Sequence, residues 1–177
     1  ALATRGHRVT LLNHVPQART VRGVACQPID QGVNDLARQP VDAWVVLNGP
    51  GQWGRALRER VDPSSLVVLW TQHAHDQPAI ADLRDVSAWQ AWDVLACISD
   101  WQRDQYQQHF SIPRQRMTVL RNAVSPPFEN MFASAEDLIT AKAGPPALVY
   151  TSTPFRGLDV LLSIFHEVRW EHRDATL

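Results

Sequence analysis

The sequence has few cysteines, no long apolar run and no block of like charges, and each absence narrows what the chain can be. Its two cysteines, Cys26 and Cys97, lie in apolar, strand-like stretches. This excludes a disulfide framework and predicts buried free thiols in a reducing compartment. No apolar run approaches the ~20 residues that span a bilayer. The 17 basic and 18 acidic residues nearly cancel and are dispersed, which excludes the basic footprint of a nucleic-acid-binding protein.

Short apolar runs alternate with helical patterns along the chain. The predicted strands are residues 7–12, 21–26, 43–47, 66–70, 94–98, 117–120 and 148–150. The predicted helices are residues 32–38, 53–60, 78–89, 100–109, 135–142 and 158–168. Several strands, such as AWVVL and LVVLW, are apolar throughout, as in a parallel sheet covered on both faces. The alternation therefore predicts an α/β fold with a Rossmann-like, doubly wound parallel sheet.

Residues 126–146 interrupt this alternation. They contain two proline pairs and a polar helical stretch, a composition typical of an inter-domain linker. We therefore predict a first domain over residues 1–125 and the start of a second domain over residues 147–177. The second begins with a fresh strand, loop and helix in ALVYTSTPFRGLDVLLSIFHEV. At the other end, ALATRGHRVTLLN has the form of a last helical turn, a capping glycine at Gly6 and a strand.

Polar side chains follow two predicted strands at their carboxyl ends, where open α/β sheets bind ligands. After the strand LVVLW come Thr71, Gln72, His73, His75 and Asp76, and after MTVL comes Asn122. His75 and Asp76 either bind hydroxyl groups of a ligand or cap the next helix. The spacing of His73 and His75 also suits a metal, but the other histidines form no further cluster, and we expect no metal. Ser99 is predicted to cap the helix that follows it rather than to act as a nucleophile.

The loop TSTPFRGLD has the form of an anion-binding element. It combines a cation, backbone N–H groups and a helix start, which together suit a diphosphate. The residues concerned are Ser152, Thr153, Arg156 and Gly157.

The loop GPGQWG, residues 49–54, fits the dinucleotide fingerprint G-x-G-x-x-G. It follows the strand AWVVLN and opens a helix, which is the right context for that motif. The next strand ends in Trp70-Thr71 without an acidic residue to bind a ribose. Two interpretations stay open, a dinucleotide site and a loop that lines a ligand cleft through Gly49 and Gly51.

The segment ISDWQRDQYQQHFSIPRQRMTVLRNAVSPPF resembles the end of the N-terminal domain in retaining glycosyltransferases of the GT-B fold, family 4 type (glycosyl transferases group 1). That family has Asn-Gly after the last strand, where this chain has Asn122-Ala123. Thr71-Gln72-His73 matches the family's T-x-H, and Arg156-Gly157 takes the place of the Lys-Gly in its phosphate loop. The resemblance covers residues 1–168. It implies a first domain that lacks its first strand, followed by the start of the second Rossmann-like domain.

The resemblance implies transfer of a sugar from a nucleotide-sugar donor to a hydroxyl acceptor, with retention at the anomeric carbon and without a metal or other cofactor. His73 would be the catalytic residue that contacts the donor sugar. The donor diphosphate would bind Arg156, Gly157, Ser152 and Thr153. The cleft and acceptor residues would be His75, Asp76, Asn122, Gly49 and Gly51, with Trp53 and Trp70 placed to stack on a sugar.

The expected partners are a nucleotide sugar and a saccharide, lipid or small-molecule acceptor, with no nucleic acid. We expect a cytoplasmic transferase of cell-envelope polysaccharide synthesis that touches the inner membrane face where its acceptor is a lipid. These 177 residues alone should be inactive, because the family's acidic donor-binding pair would lie beyond Leu177. Two alternatives remain, an NAD-binding oxidoreductase that uses residues 49–54 and a non-catalytic GT-B-like partner protein.

Overall fold

The computed structural model describes residues 2–37 and 39–177 and divides the chain into two units, Ala1–Ala123 and Val124–Leu177. The strands are β1 (Thr10–Asn13), β2 (Arg19–Val21), β3 (Val24–Pro28), β4 (Ala43–Leu47), β5 (Leu66–Thr71), β6 (Val94–Cys97) and β7 (Met117–Val119). The α-helices are α1 (Ile29–Leu36), α2 (Trp53–Arg58), α3 (Val86–Gln90), α4 (Asp100–Phe110), α5 (Ala135–Ala141) and α6 (Leu158–Glu171). Shorter 3-10 helices span Ala3–Arg5, Pro78–Arg84, Arg114–Arg116, Pro126–Phe128 and Pro154–Arg156.

The first unit contains a four-stranded sheet in which every strand is parallel to its neighbours, in the order β4-β5-β6-β7. Val68 in β5 lies opposite Val45 in β4 and Val94 in β6. Apolar runs form these strands because side chains such as Val67, Leu69 and Leu95 are buried in the core between the sheet and its helices. The predicted α/β class with a parallel sheet is confirmed.

A second, three-stranded sheet has the order β1-β3-β2, with β1 parallel and β2 antiparallel to β3. The single strand predicted over residues 21–26 was wrong, because the chain reverses within it. Arg22 and Gly23 both have positive φ, 48° and 78°, which gives the two-residue turn that joins hairpin strands. β2 is exposed along its whole length, so its sequence has no apolar pattern from which the strand could be predicted.

The core of the first unit packs between the four-stranded sheet and the helices that follow its strands. Its largest fully buried side chains are Trp92, Tyr106, Leu69, Ile80, Leu83, Leu95 and Ile112. Trp44, Trp89 and Trp92 all belong to this cluster, so packing accounts for much of the tryptophan content. Cys26 and Cys97 are both buried and free, as predicted.

All six predicted helices differ from the structure in their bounds, and one of them also differs in continuity. Residues 78–89 are not one helix, because Asp85 caps a new one at Val86 and its side chain accepts a hydrogen bond from Ser87 N. The helix predicted at residue 32 already begins at Ile29, and its predicted end at Arg38 lies outside the described residues. The helix that starts at Trp53 ends at Arg58 rather than at residue 60.

The second unit consists of α5, α6 and short connecting segments. The strand predicted over residues 148–150 was wrong, and the structure has only an isolated parallel bridge between Ala147 and Thr176 there. A strand needs a paired neighbour, and this bridge is held by single backbone bonds from Leu148 N to Thr176 O and from Thr176 N to Pro146 O.

In the part of the chain that the structure describes, no helix combines the length and the apolar character needed to cross a membrane.

Candidate functional site

Polar side chains from the carboxyl ends of three strands meet at one edge of the four-stranded sheet. Asn48 follows β4 in the left-handed conformation, at φ 55°, and its Oδ1 accepts from Gln72 N at 2.7 Å. Gln72 Nε2 in turn donates to Asn122 Oδ1 at 3.2 Å. Because Gln72 follows β5 and Asn122 follows β7, this second bond joins the ends of two strands that are not neighbours in the sheet. The strand-end positions of Gln72 and Asn122 were predicted from the sequence, whereas that of Asn48 was not.

The ring of His73 is held from two sides at this edge. Its Nδ1 lies 2.6 Å from Gln77 Oε1, and its Nε2 lies 3.3 Å from the carbonyl oxygen of Asn48. Two partners on opposite ring nitrogens define the plane of an imidazole. His73 is half-buried, so its ring is both oriented and accessible.

The backbone of His73 is anchored by two buried side chains of α4. Gln102 Nε2 and the Tyr106 hydroxyl each donate to His73 O at 2.8 Å. Gln102 also donates to Thr71 O at 3.1 Å and accepts from Ile98 N at 2.7 Å. Sequence reasoning missed both residues, although polar side chains one helical turn apart on a buried helix face are a detectable signal.

Burial changes the proton affinity of two groups beneath this edge. It raises the pKa of Tyr106 to about 12 and the pKa of Cys97 to about 12, with the neighbouring Arg103 lowering the latter slightly. Tyr106 therefore stays a neutral hydrogen-bond donor, as its contact with His73 O requires. A protonated thiol is a poor nucleophile and metal ligand, so Cys97 serves packing.

His75 is turned away from this cluster and packs on α4. Its ring stacks on His109 with centroids 4.0 Å apart and an interplanar angle of 12°, and it meets the edge of Trp101 at 6.2 Å. The Nδ1 atom of His75 is buried and, within residues 2–37 and 39–177, has no hydrogen-bond partner. Asp76 is exposed, and the cap residue of the next 3-10 helix is Gln77, so the alternative in which Asp76 caps that helix is wrong.

The glycines of the loop over residues 49–54 are explained by packing. A Cβ atom on Gly49, Gly51 or Gly54 would collide with side chains of the core, among them Leu83 and Trp92. Only glycine therefore fits at these three positions.

The polar groups of this loop are already engaged. Asp82 accepts from Gly51 N at 3.1 Å and from Gln52 N at 2.6 Å, while Trp92 Nε1 donates to Gly51 O at 2.8 Å. A dinucleotide site needs free N–H groups at this turn. Here a carboxylate occupies them, which weighs against the binding of a pyrophosphate.

The loop before α6, unlike the loop over residues 49–54, has exposed polar groups that are free to bind a ligand. Thr153 precedes the 3-10 turn Pro154–Arg156, and Gly157 then takes a left-handed φ of 103° before the helix begins. The first bond of the helix runs from Leu161 N to Gly157 O, so the N–H groups of the first turn are directed out of the helix end. Arg156 is exposed beside this end. The arrangement can bind an anion, although Asp159 in the first turn opposes it.

Ser152 and Thr153 differ in what holds them. Ser152 is exposed, and the carbonyl oxygen of Thr153 accepts from the Tyr150 hydroxyl at 2.7 Å. The side chain of Thr153 makes no capping bond, so both hydroxyl groups are accessible to a ligand.

The two tryptophans predicted to stack on a sugar lie in different surroundings. Trp53 is 45% exposed and lines a cavity of about 700 Å³ between β1 and β4. Trp70 is half-buried, and its indole Nε1 has no partner among the described residues. Neither His73 nor Gln72 lines that cavity, so the cavity and the polar edge are separate features.

The fold and these features define the class of the protein, which is an α/β protein with a parallel sheet whose carboxyl edge carries an ordered polar cluster. No group of three or more histidine, cysteine, aspartate or glutamate side chains that could hold a metal ion occurs within residues 2–37 and 39–177. No protein-family model matches the chain, and no curated protein matches it. Any assignment to a family therefore rests on the sequence motifs and the geometry of the site.

Proposed function

We propose that the chain is part of a retaining GT-B glycosyltransferase that moves a sugar from a nucleotide sugar to a hydroxyl acceptor. The observation that carries the proposal is the oriented imidazole of His73, held by Gln77 and Asn48 at the carboxyl edge of a parallel sheet. Ligands of open α/β sheets bind at this edge. The T-x-H motif formed by Thr71 and His73 lies at this edge, and the ring of His73 is both fixed and accessible.

In the proposed reaction, Nε2 of His73 exchanges its long contact with Asn48 O for a hydrogen bond to the donor sugar, next to the carbon that reacts. Its ring needs no large rearrangement, because the α4 side chains Gln102 and Tyr106 already hold its backbone. Preorganised donors of this kind stabilise charge as it develops in the transition state. The amide groups of Gln72 and Asn122 are proposed to bind hydroxyl groups of the acceptor.

The leaving nucleoside diphosphate is proposed to bind at the start of α6. Arg156 supplies the cation, and the N–H groups that follow Gly157 supply donors. Ser152 and Thr153 add hydroxyl groups. Charge-assisted bonds of this kind contribute roughly 1.5–3 kcal/mol each, enough to decide whether a diphosphate is held.

The test is a thermal-shift titration of the full-length protein with UDP, GDP and NAD. We expect one nucleoside diphosphate to raise the melting temperature, since a ligand at about 100 times its Kd stabilises by about 2.7 kcal/mol. Arg156→Ala should weaken that binding by roughly 10-fold to 100-fold, the equivalent of one charged hydrogen bond.

The matched control is Arg169→Ala, which removes an exposed cation from the other end of the same helix. It should leave the shift with the nucleoside diphosphate unchanged. A shift with NAD alone would overturn the proposal and favour the oxidoreductase alternative. An equal loss in both arginine variants would show that Arg156 has no particular role.

A further inference from the structure

The ring of His73 has an oxygen atom against each of its nitrogens. Gln77 Oε1 lies 2.6 Å from Nδ1, and the carbonyl oxygen of Asn48 lies 3.3 Å from Nε2. Both oxygens only accept hydrogen bonds, so both contacts are satisfied when both ring nitrogens carry a proton. A neutral imidazole has one N–H group and one lone pair. In the neutral ring, one of the two facing groups must therefore change.

The carbonyl group of Asn48 cannot make this change. A backbone carbonyl oxygen accepts hydrogen bonds and never donates them. The residue is also held in place, because its N–H donates to Trp70 O at 2.9 Å and its Oδ1 accepts from Gln72 N at 2.7 Å. The group that faces Nε2 is therefore an acceptor whatever the charge of the ring, and it favours a proton on Nε2.

The side chain of Gln77 can make this change. A half-turn of its amide exchanges Oε1 for the NH₂ group, which then donates to the lone pair of Nδ1. Gln77 is exposed, and although it is the cap residue of the 3-10 helix Pro78–Arg84, its side chain makes no capping bond. Its backbone is anchored, since its N–H donates to Ala74 O at 3.0 Å. The amide is therefore free to turn about a fixed point.

The number of hydrogen bonds distinguishes the two neutral forms of the ring. With the proton on Nε2, the ring donates to Asn48 O and accepts from the turned amide of Gln77, which makes two bonds. With the proton on Nδ1, the ring donates to Gln77 Oε1, and the lone pair of Nε2 faces a carbonyl oxygen, which makes one bond. The partners of the two nitrogens decide where the proton of a histidine lies. Here they favour the Nε2–H form.

The partner of Nδ1 also decides what the other ring nitrogen can do. In histidine bases of the Ser-His-Asp type, a carboxylate holds the proton on Nδ1 and leaves Nε2 free to remove a proton. In this protein an uncharged amide takes the place of that carboxylate. The arrangement suits a ring that donates from Nε2 rather than one that abstracts a proton there.

We propose that Gln77 is a positioning residue that keeps the proton of neutral His73 on Nε2, so that His73 offers its ligand a hydrogen-bond donor and does not act as a general base. The contact of 3.3 Å with Asn48 O is long for a hydrogen bond and is readily exchanged for a ligand oxygen. The ligand atom that His73 binds is therefore an acceptor. That this atom belongs to a sugar rests on the proposed function, whereas the position of the proton does not.

The test is nuclear magnetic resonance of the protein with isotope-labelled histidine rings, at about pH 8.5, where free histidine is uncharged. Long-range proton–nitrogen correlations show which ring nitrogen carries the proton, and the spectrum of His73→Gln identifies the signals of His73. We expect the Nε2–H form in at least ~5-fold excess, the equivalent of one net hydrogen bond. A smaller excess, or a proton on Nδ1, would overturn the proposal.

Gln77→Glu provides the matched comparison, because a carboxylate has the size of the amide but can only accept. It should place a proton on Nδ1 of His73 at the same pH. The control Gln107→Glu adds the same charge at an exposed position of α4 and should leave the His73 signals unchanged. Unchanged signals in Gln77→Glu, or the same change in both variants, would show that Gln77 does not place the proton and would also overturn the proposal.

These spectra depend neither on sugar transfer nor on a bound nucleotide. If the nucleotide titration fails while Gln77→Glu moves the proton, the positioning role of Gln77 stands and the sugar is excluded as the ligand. If the titration succeeds while the proton lies on Nδ1, the transferase proposal stands and the positioning role is wrong. The two proposals therefore fail separately.

Discussion

His73 depends on residues that are distant in sequence. Its ring is placed by Gln77 and Asn48, and its carbonyl oxygen by Gln102 and Tyr106. Each partner contributes one hydrogen bond, yet together they hold both ends of the residue. A position determined in this way responds to substitutions that never touch a ligand.

Gln102→Met should therefore loosen the segment from Thr71 to His73, whose backbone Gln102 holds. Gln102 is 3% exposed and bonds to the backbone of Thr71, His73 and Ile98. An apolar side chain of similar shape leaves these buried groups unpaired, and we expect a loss of about 2–4 kcal/mol in the free energy of unfolding. Urea denaturation measures it.

The control is Gln107→Met, at an exposed position of the same helix, which should change the free energy of unfolding by less than about 0.5 kcal/mol. Equal costs for the two variants would mean that the buried hydrogen bonds of Gln102 add nothing to stability.

Cys97 gives the protein a pH dependence on the alkaline side. Burial raises its pKa from 9.0 to about 12, so the folded protein keeps a proton that the unfolded chain releases. The stability that this contributes is complete below pH 9.0 and is lost as the pH rises toward 12. Tyr106 acts in the same direction, with its pKa raised from 10.0 to about 12.

We expect the urea midpoint to fall between about pH 9 and about pH 11. Cys97→Ala should flatten the early part of this fall and leave the later part, which belongs to Tyr106. An unchanged profile in Cys97→Ala would show that the thiol is not the group that titrates.

At the scale of elements, caps and turns decide where helices and strands end. The Ser99 side chain accepts from Gln102 N at 3.1 Å and so starts α4 at Asp100. This was predicted from sequence and is confirmed, as is the glycine cap at Gly6. The hairpin turn at Arg22 and Gly23 was missed because β2 carries no apolar pattern.

Ser99→Ala should remove the cap of α4. The N–H group of Gln102 then loses its partner, and we expect the free energy of unfolding to fall by about 1 kcal/mol. Ser99→Thr should restore most of this, because threonine also caps helices. The control Ser163→Ala removes an exposed hydroxyl group within α6, and a comparable loss there would contradict a capping role for Ser99.

At the scale of the whole molecule, the chain forms two units joined after Ala123. Residues 121–137 are exposed throughout and contain little regular structure. Segments of this kind are the preferred sites of proteolysis. The position of the boundary is therefore open to a direct test.

Glu-C protease should cleave first after Glu129, which follows the 3-10 turn Pro126–Phe128. Glu171 ends α6 and should be cleaved later, since helical backbone must unfold locally before it fits a protease. Mass spectrometry of the earliest fragments measures the order. First cleavage at Glu59, at the end of α2, would contradict a boundary near Ala123.

Local chemistry determined the α/β class, four of the parallel strands, the caps at Gly6 and Ser99 and the placement of His73, Gln72 and Asn122 at strand ends. These features follow from apolar runs, caps and strand-end positions, which depend on residues close together in the chain.

Only the tertiary structure decided which groups these side chains meet. In the folded protein, His75 stacks on His109, and the carboxylate of Asp82 accepts from the N–H groups of Gly51 and Gln52. A cavity lies between β1 and β4. Such contacts join residues about 30 positions apart in the chain, and no local pattern specifies them, because they form only when packed elements bring those residues together.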